Sequence, residues 1–217
     1  MATILITGAN RGLGLEFCRQ PEQASELAKL AGQYPALQVE ALDVADFKQI
    51  DELSGKLSDC GIDVLINNAG VYGDLQKDGS GQLDYQAWTQ SFVVNTQAPV
   101  KMAVAFLPQI KNSDKKLIVN ISSLMGSITD NTGGGSIMYR SSKAALNAAM
   151  KSLSIEFKDK SVGVLTFHPG WVKTDMGGPN ALINAEQSVA GMRTLIKNFS
   201  LDQTGCFVKY DGTVMPW

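Results

Sequence analysis

The chain has 217 residues, a length that fits one α/β domain better than two very small ones. Its 19 basic and 21 acidic residues give a formal net charge of −2, so it has no broad positive field, which argues against nucleic acid as the main partner. Hydrophobic residues make up 44% of the sequence, enough for a sizeable core, and this excludes wholesale disorder.

Cysteine and histidine usage excludes several kinds of site. Cys18, Cys60 and Cys206 are scattered, with no Cys-x-x-Cys pair, and we expect reduced thiols rather than disulfides. His168 is the only histidine, so we expect it to be structural and expect neither a metal site nor a histidine-based triad. The N-terminus lacks a basic signal-peptide segment, and no apolar run approaches the ~18 residues of a membrane span. We therefore expect a cytoplasmic protein with no membrane partner.

Short apolar segments alternate with helix-forming segments along the whole chain. The apolar segments are nearly continuous and rich in Val, Ile and Leu, which predicts buried strands over residues 3–7, 37–42, 64–66, 117–121, 162–167 and 206–208. Helices are predicted over residues 22–31, 46–58, 85–110, 139–158 and 185–198. This order predicts a single α/β domain over residues 1–217, with a doubly wound parallel sheet covered by helices on both faces.

The first predicted strand runs into a glycine-rich turn, TGANRGLG at residues 7–14, which opens a helix. Glycine allows a tight turn, lets main-chain N–H groups approach a pyrophosphate and lets the helix pack closely on the sheet. The helix N-terminus adds a field that favours phosphate. Glycine-rich turns are common, but the strand before this one and the helix after it favour a dinucleotide site.

Small or polar residues also close three later strands. They are the NNAG segment at residues 67–70, the pair Ser122 and Ser123, and the pair Pro169 and Gly170. Each of these alone is more simply an ordinary turn. Because the carboxyl ends of parallel strands meet at the edge of the sheet where ligands bind, together they indicate an open cleft.

Tyr139 and Lys143 lie four residues apart at the start of a predicted helix and therefore share a face. A free tyrosine titrates near pH ~10, and a neighbouring ammonium favours the phenolate and lowers that pKa. Such a tyrosine is a usable acid or base, and Ser123 would hydrogen-bond the oxygen of a substrate carbonyl. Tyrosine–lysine pairs at this spacing are frequent in ordinary helices, so the pair gains its weight from the glycine turn and the serine-ended strand.

Taken in order, these motifs resemble those of the short-chain dehydrogenase/reductase family, whose pattern also includes Asn95. The resemblance implies a Rossmann-like fold and a catalytic tetrad of Asn95, Ser123, Tyr139 and Lys143. In that tetrad Tyr139 would exchange the hydroxyl proton, Lys143 would lower its pKa and hold the nicotinamide ribose, and Asn95 would order a proton-relaying water. Ser122 would be structural.

The resemblance also implies a cofactor site. Besides Tyr139 and Lys143 it would include Gly8, Asn10, Arg11, Gly12, Leu13, Gly14, Arg19, Asp43, Val44, Asn68, Ala69, Gly70, Pro169, Gly170, Val172 and Thr174. Stretches such as HPGWVKTDMGG are most similar to the C-factor and sniffer-type carbonyl reductases, which prefer NADPH. An arginine inside the glycine turn is consistent with NADP(H) rather than NAD(H), since a guanidinium can hold the 2′-phosphate; the alternative is a solvated arginine.

The chain departs from the family pattern after the first helix. Residues 15–36 are about 15 residues too few for the helix, second strand and further helix that the family places there. Residues 18–21 resemble the segment that follows the second strand, which would bring Arg19 to the adenosine phosphate. The second strand is either truly deleted or supplied by residues absent from this sequence.

These features predict an NADPH-dependent oxidoreductase that reduces a small aldehyde or ketone to an alcohol. A short loop at residues 177–185 predicts an open pocket and a broad substrate range. The alternative is a C-factor-like signalling or nucleotide-sensing protein with little turnover, and a third option is epimerase or dehydratase chemistry on the same fold. The helices at 85–110 and 139–158 also predict a homodimer or homotetramer.

Overall fold

A parallel sheet of five strands forms the centre of the molecule. The computed structural model describes residues 2–19, 32, 34–74 and 83–217, with only the main chain at Arg19. The strands follow one another across the sheet in chain order: β1 (Ile4–Ile6), β2 (Val64–Asn67), β3 (Leu117–Ile121), β4 (Gly163–His168) and β5 (Phe207–Lys209). Every pairing is parallel.

Helices connect the strands. The bounds are α1 (Gly12–Arg19), α2 (Phe47–Lys56), α3 (Tyr85–Phe92), α4 (Ala98–Ala105), α5 (Leu107–Lys111), α6 (Ile137–Glu156) and α7 (Ala185–Lys197). A π-helical turn (Val93–Gln97) joins α3 to α4, and short 3₁₀ turns occupy Leu124–Gly126, Lys158–Lys160 and Leu201–Gln203. The helices predicted over residues 46–58, 139–158 and 185–198 therefore fall in the right places, while the helix predicted over residues 22–31 lies outside the described residues.

Two hydrophobic cores lie on opposite faces of the sheet. Ile118 of β3 belongs to the first core, together with Met102 of α4 and Met150 of α6. Its neighbours Leu117 and Val119 belong to the second core, together with residues of α1 and α7. Successive side chains of a strand point to opposite faces, so β2 and β3, which have no exposed residue, contribute to both cores. The prediction of a doubly wound sheet is confirmed.

The helix predicted over residues 85–110 is interrupted, and the prediction of one continuous helix is wrong. Pro99 stands in the first turn of α4 and Pro108 in the first turn of α5. Proline has no main-chain N–H to donate within a helix. Each proline therefore begins a new helical segment, and the π-helical turn comes directly before the first of them.

The strand predicted over residues 37–42 is also wrong, because this segment is irregular and pairs with no strand among the described residues. Val39 is half exposed, and Leu42 packs at the margin of the first core. A strand needs a neighbour to satisfy its main-chain groups. Within the described part of the chain, β1 pairs with β2 alone, so β1 forms an edge of the described sheet.

Candidate active site

The carboxyl ends of the first four strands border one cleft of about 830 Å³. Most of the residues predicted for the site line it: Gly8, Asn10, Arg11, Gly12, Leu13, Asp43, Val44, Asn68, Ala69, Gly70, Ser123, Tyr139, Lys143, Pro169, Gly170, Val172 and Thr174. Gly14 and Asn95 lie behind this wall. The side chain of Arg19 lies outside the described part of the chain.

The glycine turn packs directly on the NNAG segment. Gly8 has a φ of +66°, and a Cβ there would approach Ala69 Cα to 2.9 Å. A Cβ at Gly14 would come within 2.5 Å of Asn68 Nδ2 and would also collide with the Gly8 carbonyl. Asn68 Nδ2 donates hydrogen bonds to the carbonyl oxygens of Thr7 (3.0 Å) and Gly8 (3.1 Å). Gly14 therefore lets α1 pack close to the turn, while the hydrogen bonds of Asn68 fix the turn against the NNAG segment.

Arg11 lies at the mouth of the cleft, where its guanidinium contacts Asp175. The Nη1–Oδ2 distance is 3.2 Å, and both side chains are exposed. Exposed pairs of this kind contribute little to stability. The pair therefore leaves Arg11 available to exchange its carboxylate partner for another anion.

Ser123, Tyr139 and Lys143 meet at the centre of the cleft. Ser123 lies two residues after β3 and caps the turn Leu124–Gly126, with its Oγ accepting a hydrogen bond from Met125 N at 3.1 Å. Tyr139 and Lys143 occupy the first turns of α6 and are buried. Lys143 Nζ donates to the Ile121 carbonyl at 2.9 Å and lies 5.8 Å from the centre of the Tyr139 ring.

Burial sets the protonation of this pair. Burial raises the pKa of Tyr139 to about 12. A hydrogen bond from Ser123 lowers this pKa and the neighbouring Tyr72 raises it, both by smaller amounts. Burial lowers the pKa of Lys143 to about 8. The predicted lowering of the pKa of Tyr139 is therefore wrong for this structure, because desolvation of the phenolate by burial is the largest influence on it. The phenol stays protonated at neutral pH and is suited to donate a proton.

Asn95 lies in the π-helical turn and is fully buried. Its Oδ1 accepts a hydrogen bond from Val71 N, and its Nδ2 donates to Val71 O, both at 2.9 Å. Nδ2 also donates to Ser142 Oγ at 3.0 Å. Asn95 therefore fixes the chain after the NNAG segment against α6, and its ordering of a water molecule stays a prediction.

Two further polar residues hold the Ser123 turn in place. Ser122 Oγ donates to Asn147 Oδ1 at 2.6 Å inside the core, which agrees with a structural role. His168 Nδ1 accepts a hydrogen bond from Leu124 N at 3.1 Å. Burial, reinforced by the charge of Lys209, lowers the pKa of His168 to about 4, so the imidazole is neutral and carries its proton on Nε2. The lone histidine thus anchors the residue that follows Ser123.

Sequence patterns missed several residues of the cleft wall. Tyr72 lies with its ring centre 4.9 Å from that of Tyr139. Side chains from three separate segments also line the cleft: Leu124, Met125, Arg140, Trp171 and Met176. Trp171 and Met176 belong to the HPGWVKTDMGG stretch, and the sequence also predicts Met125 and Met176 near the cleft. No motif assigns Tyr72, Leu124 or Arg140 to the cleft, because they become neighbours of it only when the loops fold together.

The cleft fits an extended dinucleotide. The glycine turn and the N-terminus of α1 border one part, and Tyr139 with Lys143 borders another. A Cβ at Gly70 would lie 3.3 Å from Asn95 Oδ1 and 3.7 Å from Lys143 Nζ, so the glycine keeps this stretch of wall free of side chain. The described residues hold no group of three metal-ligating side chains, and they include no helix long and apolar enough to cross a membrane.

Residues 2–182 match the family model described as short chain dehydrogenase. The chain belongs to this family. This short chain dehydrogenase, an oxidoreductase, is 40% identical over 156 residues to C-signal of Myxococcus xanthus, a match covering 72% of this chain and 93% of C-signal. Its structure is similar to the carbonyl reductase Sniffer of D. melanogaster, with a TM-score of 0.90 and 36% identity over 100% of both chains. It is also similar to an NADPH-bound carbonyl reductase from chicken fatty liver, with a TM-score of 0.87 and 33% identity over 100% of this chain and 98% of that one.

Proposed function

We propose that this short chain dehydrogenase reduces a small aldehyde or ketone to an alcohol, with NADPH as the cofactor and Tyr139 as the proton donor. One observation carries the proposal. The Ser123 side chain lies near enough to the Tyr139 phenol to affect its pKa, and both residues line the same cleft as the glycine turn.

The residues of the cleft divide the chemistry between them. Bound NADPH supplies a hydride to the carbonyl carbon. Ser123 and Tyr139 hydrogen-bond the carbonyl oxygen, and Tyr139 gives up its phenol proton to that oxygen as negative charge develops there. The Lys143 ammonium then stabilises the phenolate until a proton returns from solvent. With its pKa raised, the phenol is protonated at neutral pH, which is the form that carbonyl reduction consumes.

The cofactor-binding roles follow from position along the cleft. The main chain of residues 8–14 and the N-terminus of α1 would hold the pyrophosphate. Arg11 would leave Asp175 for the 2′-phosphate of NADPH, which favours NADPH over NADH. Pro169, Gly170 and Thr174 would border the nicotinamide. The similarity to the NADPH-bound chicken carbonyl reductase supports the choice of cofactor.

The substrate would be an apolar carbonyl compound bound near an open mouth. Trp171 and Met176 line the cleft and are each about half exposed, at 51% and 48%. Leu124 and Met125 add apolar surface next to Ser123. Such a wall favours small apolar aldehydes and ketones over one large polar ligand.

Replacing Tyr139 with phenylalanine tests the proposal, because it removes the phenol oxygen and keeps the ring. We expect carbonyl-dependent oxidation of NADPH to fall by a factor of roughly 10² to 10⁴, while the Kd for NADPH stays within about twofold of the wild-type value, since the ring still packs against Tyr72. Tyr85→Phe is the matched control, because Tyr85 is exposed and does not line the cleft. Equal rates for Tyr139→Phe and the wild type would exclude Tyr139 as the proton donor.

The identity to C-signal favours one other function, a nucleotide-binding signalling protein with little turnover. Tight binding of NADPH by the wild type, without reduction of any member of a panel of aldehydes and ketones, would support that alternative.

Self-association and location stay predictions. A homodimer or homotetramer would pair subunits through α3, α4 and α6, whose surfaces include the exposed apolar side chains Tyr85, Val104 and Ile155. A cytoplasmic location accords with NADPH as a cofactor.

A further inference from the structure

The N-terminus of α6, which bears Tyr139, is capped by a residue from a different part of the chain. Ser136 precedes the helix with a φ of +46°, and its side chain makes no capping hydrogen bond. Asp74 takes over this role. Its Oδ1 accepts a hydrogen bond from Met138 N at 3.2 Å, and its Oδ2 accepts one from Tyr139 N at 2.7 Å.

Asp74 therefore meets the groups that an N-cap side chain normally meets. The first amides of a helix have no acceptor within the helix, and a carboxylate at this end also interacts favourably with the helix dipole. The first intrahelical bond of α6 is donated by Arg140 N to Ser136 O. The amide of Tyr139 itself is thus held by Asp74.

The segment that carries Asp74 is held at two further points, Val71 and Tyr72. At its start, the main chain of Val71 is bound by Asn95. Further along, the Tyr72 hydroxyl is hydrogen-bonded to Ser136 Oγ at 2.6 Å, and the Tyr72 ring packs on that of Tyr139. Residues 71–74 follow directly after the NNAG segment, so they join the proposed cofactor wall to the start of α6.

Close packing leaves this segment little freedom. A Cβ at Gly73 would collide with Ser91 Oγ and would come 3.5 Å from Met138 Cβ. The absence of a side chain at residue 73 therefore lets Asp74 reach the helix terminus.

We propose that Asp74 is a positioning residue for Tyr139. It fixes the first turn of α6 relative to the NNAG segment and thereby sets where the phenol stands over the cleft. The proposal rests on the function proposed for Tyr139. Because a displacement of ~1 Å in a reacting group can reduce a rate by ~10²-fold, an external cap on this turn affects catalysis more than the same cap elsewhere.

Three variants separate positioning from general stability. Asp74→Ala removes both acceptors, and we expect kcat for carbonyl reduction to fall about tenfold while the Kd for NADPH changes less than about twofold. Asp74→Asn keeps a capping oxygen, and we expect kcat to return to within about threefold of the wild-type value. Asp84→Ala is the control. Asp84 caps α3 by accepting hydrogen bonds from Gln86 N and Ala87 N at 2.9 and 3.0 Å. The substitution therefore removes an equivalent cap from a helix that does not carry Tyr139, and we expect kcat to stay within about twofold of the wild-type value.

Hydrogen exchange tests the same contact without requiring turnover. In the full-length protein, Asp74→Ala should speed exchange of the Met138 and Tyr139 amides by about tenfold, whereas Asp84→Ala should leave them unchanged. If the proposed function were wrong but the cap real, the wild type would show no carbonyl reductase activity, while the Met138 and Tyr139 amides would still exchange more slowly than in Asp74→Ala.

Two results would overturn the positioning role. One is wild-type kcat in Asp74→Ala, with the Tyr139 amide exchanging as slowly as before. The other is an equal loss of kcat in Asp74→Ala and Asp84→Ala, in proportion to their losses in Tm, which would reduce Asp74 to an ordinary contributor to stability.

Discussion

Lys143 is buried, and burial disfavours its positively charged form. The residue is 4% exposed, and its ammonium donates a hydrogen bond to the carbonyl of Ile121. Burial lowers the pKa of Lys143 to about 8, so the native state holds this proton less tightly than the unfolded chain does. Between pH 8 and 10.5 the unfolded chain keeps the Lys143 proton that the native state has lost. The charged lysine therefore lowers the free energy of unfolding by its full amount below pH 8, and this destabilisation disappears as the pH rises to 10.5.

Replacing Lys143 with methionine should therefore stabilise the protein and inactivate it. We expect the free energy of unfolding to rise by about 1–3 kcal/mol at pH 6.5, less at pH 9.5, and carbonyl reduction to fall at least about 10²-fold. Chemical denaturation at the two pH values measures the first effect.

The control for this substitution is Lys48→Met at the exposed surface, where we expect a change below about 0.5 kcal/mol. If Lys143→Met were less stable than the wild type at pH 6.5, the hydrogen bond of the ammonium would contribute more to stability than burial of its charge removes.

At the level of elements, the position of α6 against the turn Leu124–Gly126 fixes the distance between Ser123 and Tyr139. Gly126 is the point of closest approach. A Cβ there would lie 2.8 Å from the carbonyl carbon of Lys143 and 2.9 Å from its Cβ. Since these are main-chain and near-main-chain atoms of a long helix, the helix and the turn would have to move apart.

Gly126→Ala should therefore weaken both catalysis and folding. We expect kcat to fall about tenfold or more, because Ser123 and Tyr139 separate, with a loss of stability of about 1–3 kcal/mol from overpacking. Gly133→Ala is the control, since a Cβ there meets nothing within 4 Å. Steady-state kinetics and thermal denaturation of both variants decide the point, and wild-type kcat in Gly126→Ala would mean that the elements adjust without cost to the site.

For the molecule as a whole, the edge of the sheet at β1 is the weak point. Within the described residues β1 has a neighbour on one side only, and Ile4 is half exposed there. An apolar edge strand with free main-chain groups can pair with another chain. Natural proteins protect such edges with charged residues, and this strand has none.

A lysine at residue 4 should therefore reduce aggregation without touching the cleft. We expect Ile4→Lys to slow aggregation on heating by roughly twofold or more, measured by light scattering, with the Kd for NADPH unchanged. Ile128→Lys is the comparison, because Ile128 is 79% exposed but lies outside the strands. Equal slowing by both variants would point to added charge in general and not to the edge strand.

Local patterns determined the parts of this structure that depend on near neighbours in the chain. Continuous apolar segments identified five strands, and the motifs that close the first four predicted the cleft to which Tyr139 and Ser123 contribute. The same patterns were wrong at residues 37–42, since a strand also needs a partner, and at 85–110, where prolines divide the helix.

Tertiary structure decided what depends on distant segments. The pKa of Tyr139 follows from burial among several elements and not from its helical neighbour Lys143. The cap on α6 comes from Asp74, 65 residues earlier in the chain, and the anchor of Leu124 comes from His168, 44 residues later. Residue spacing carries information about periodic contacts within an element, whereas desolvation and contacts between loops arise only when the chain closes on itself.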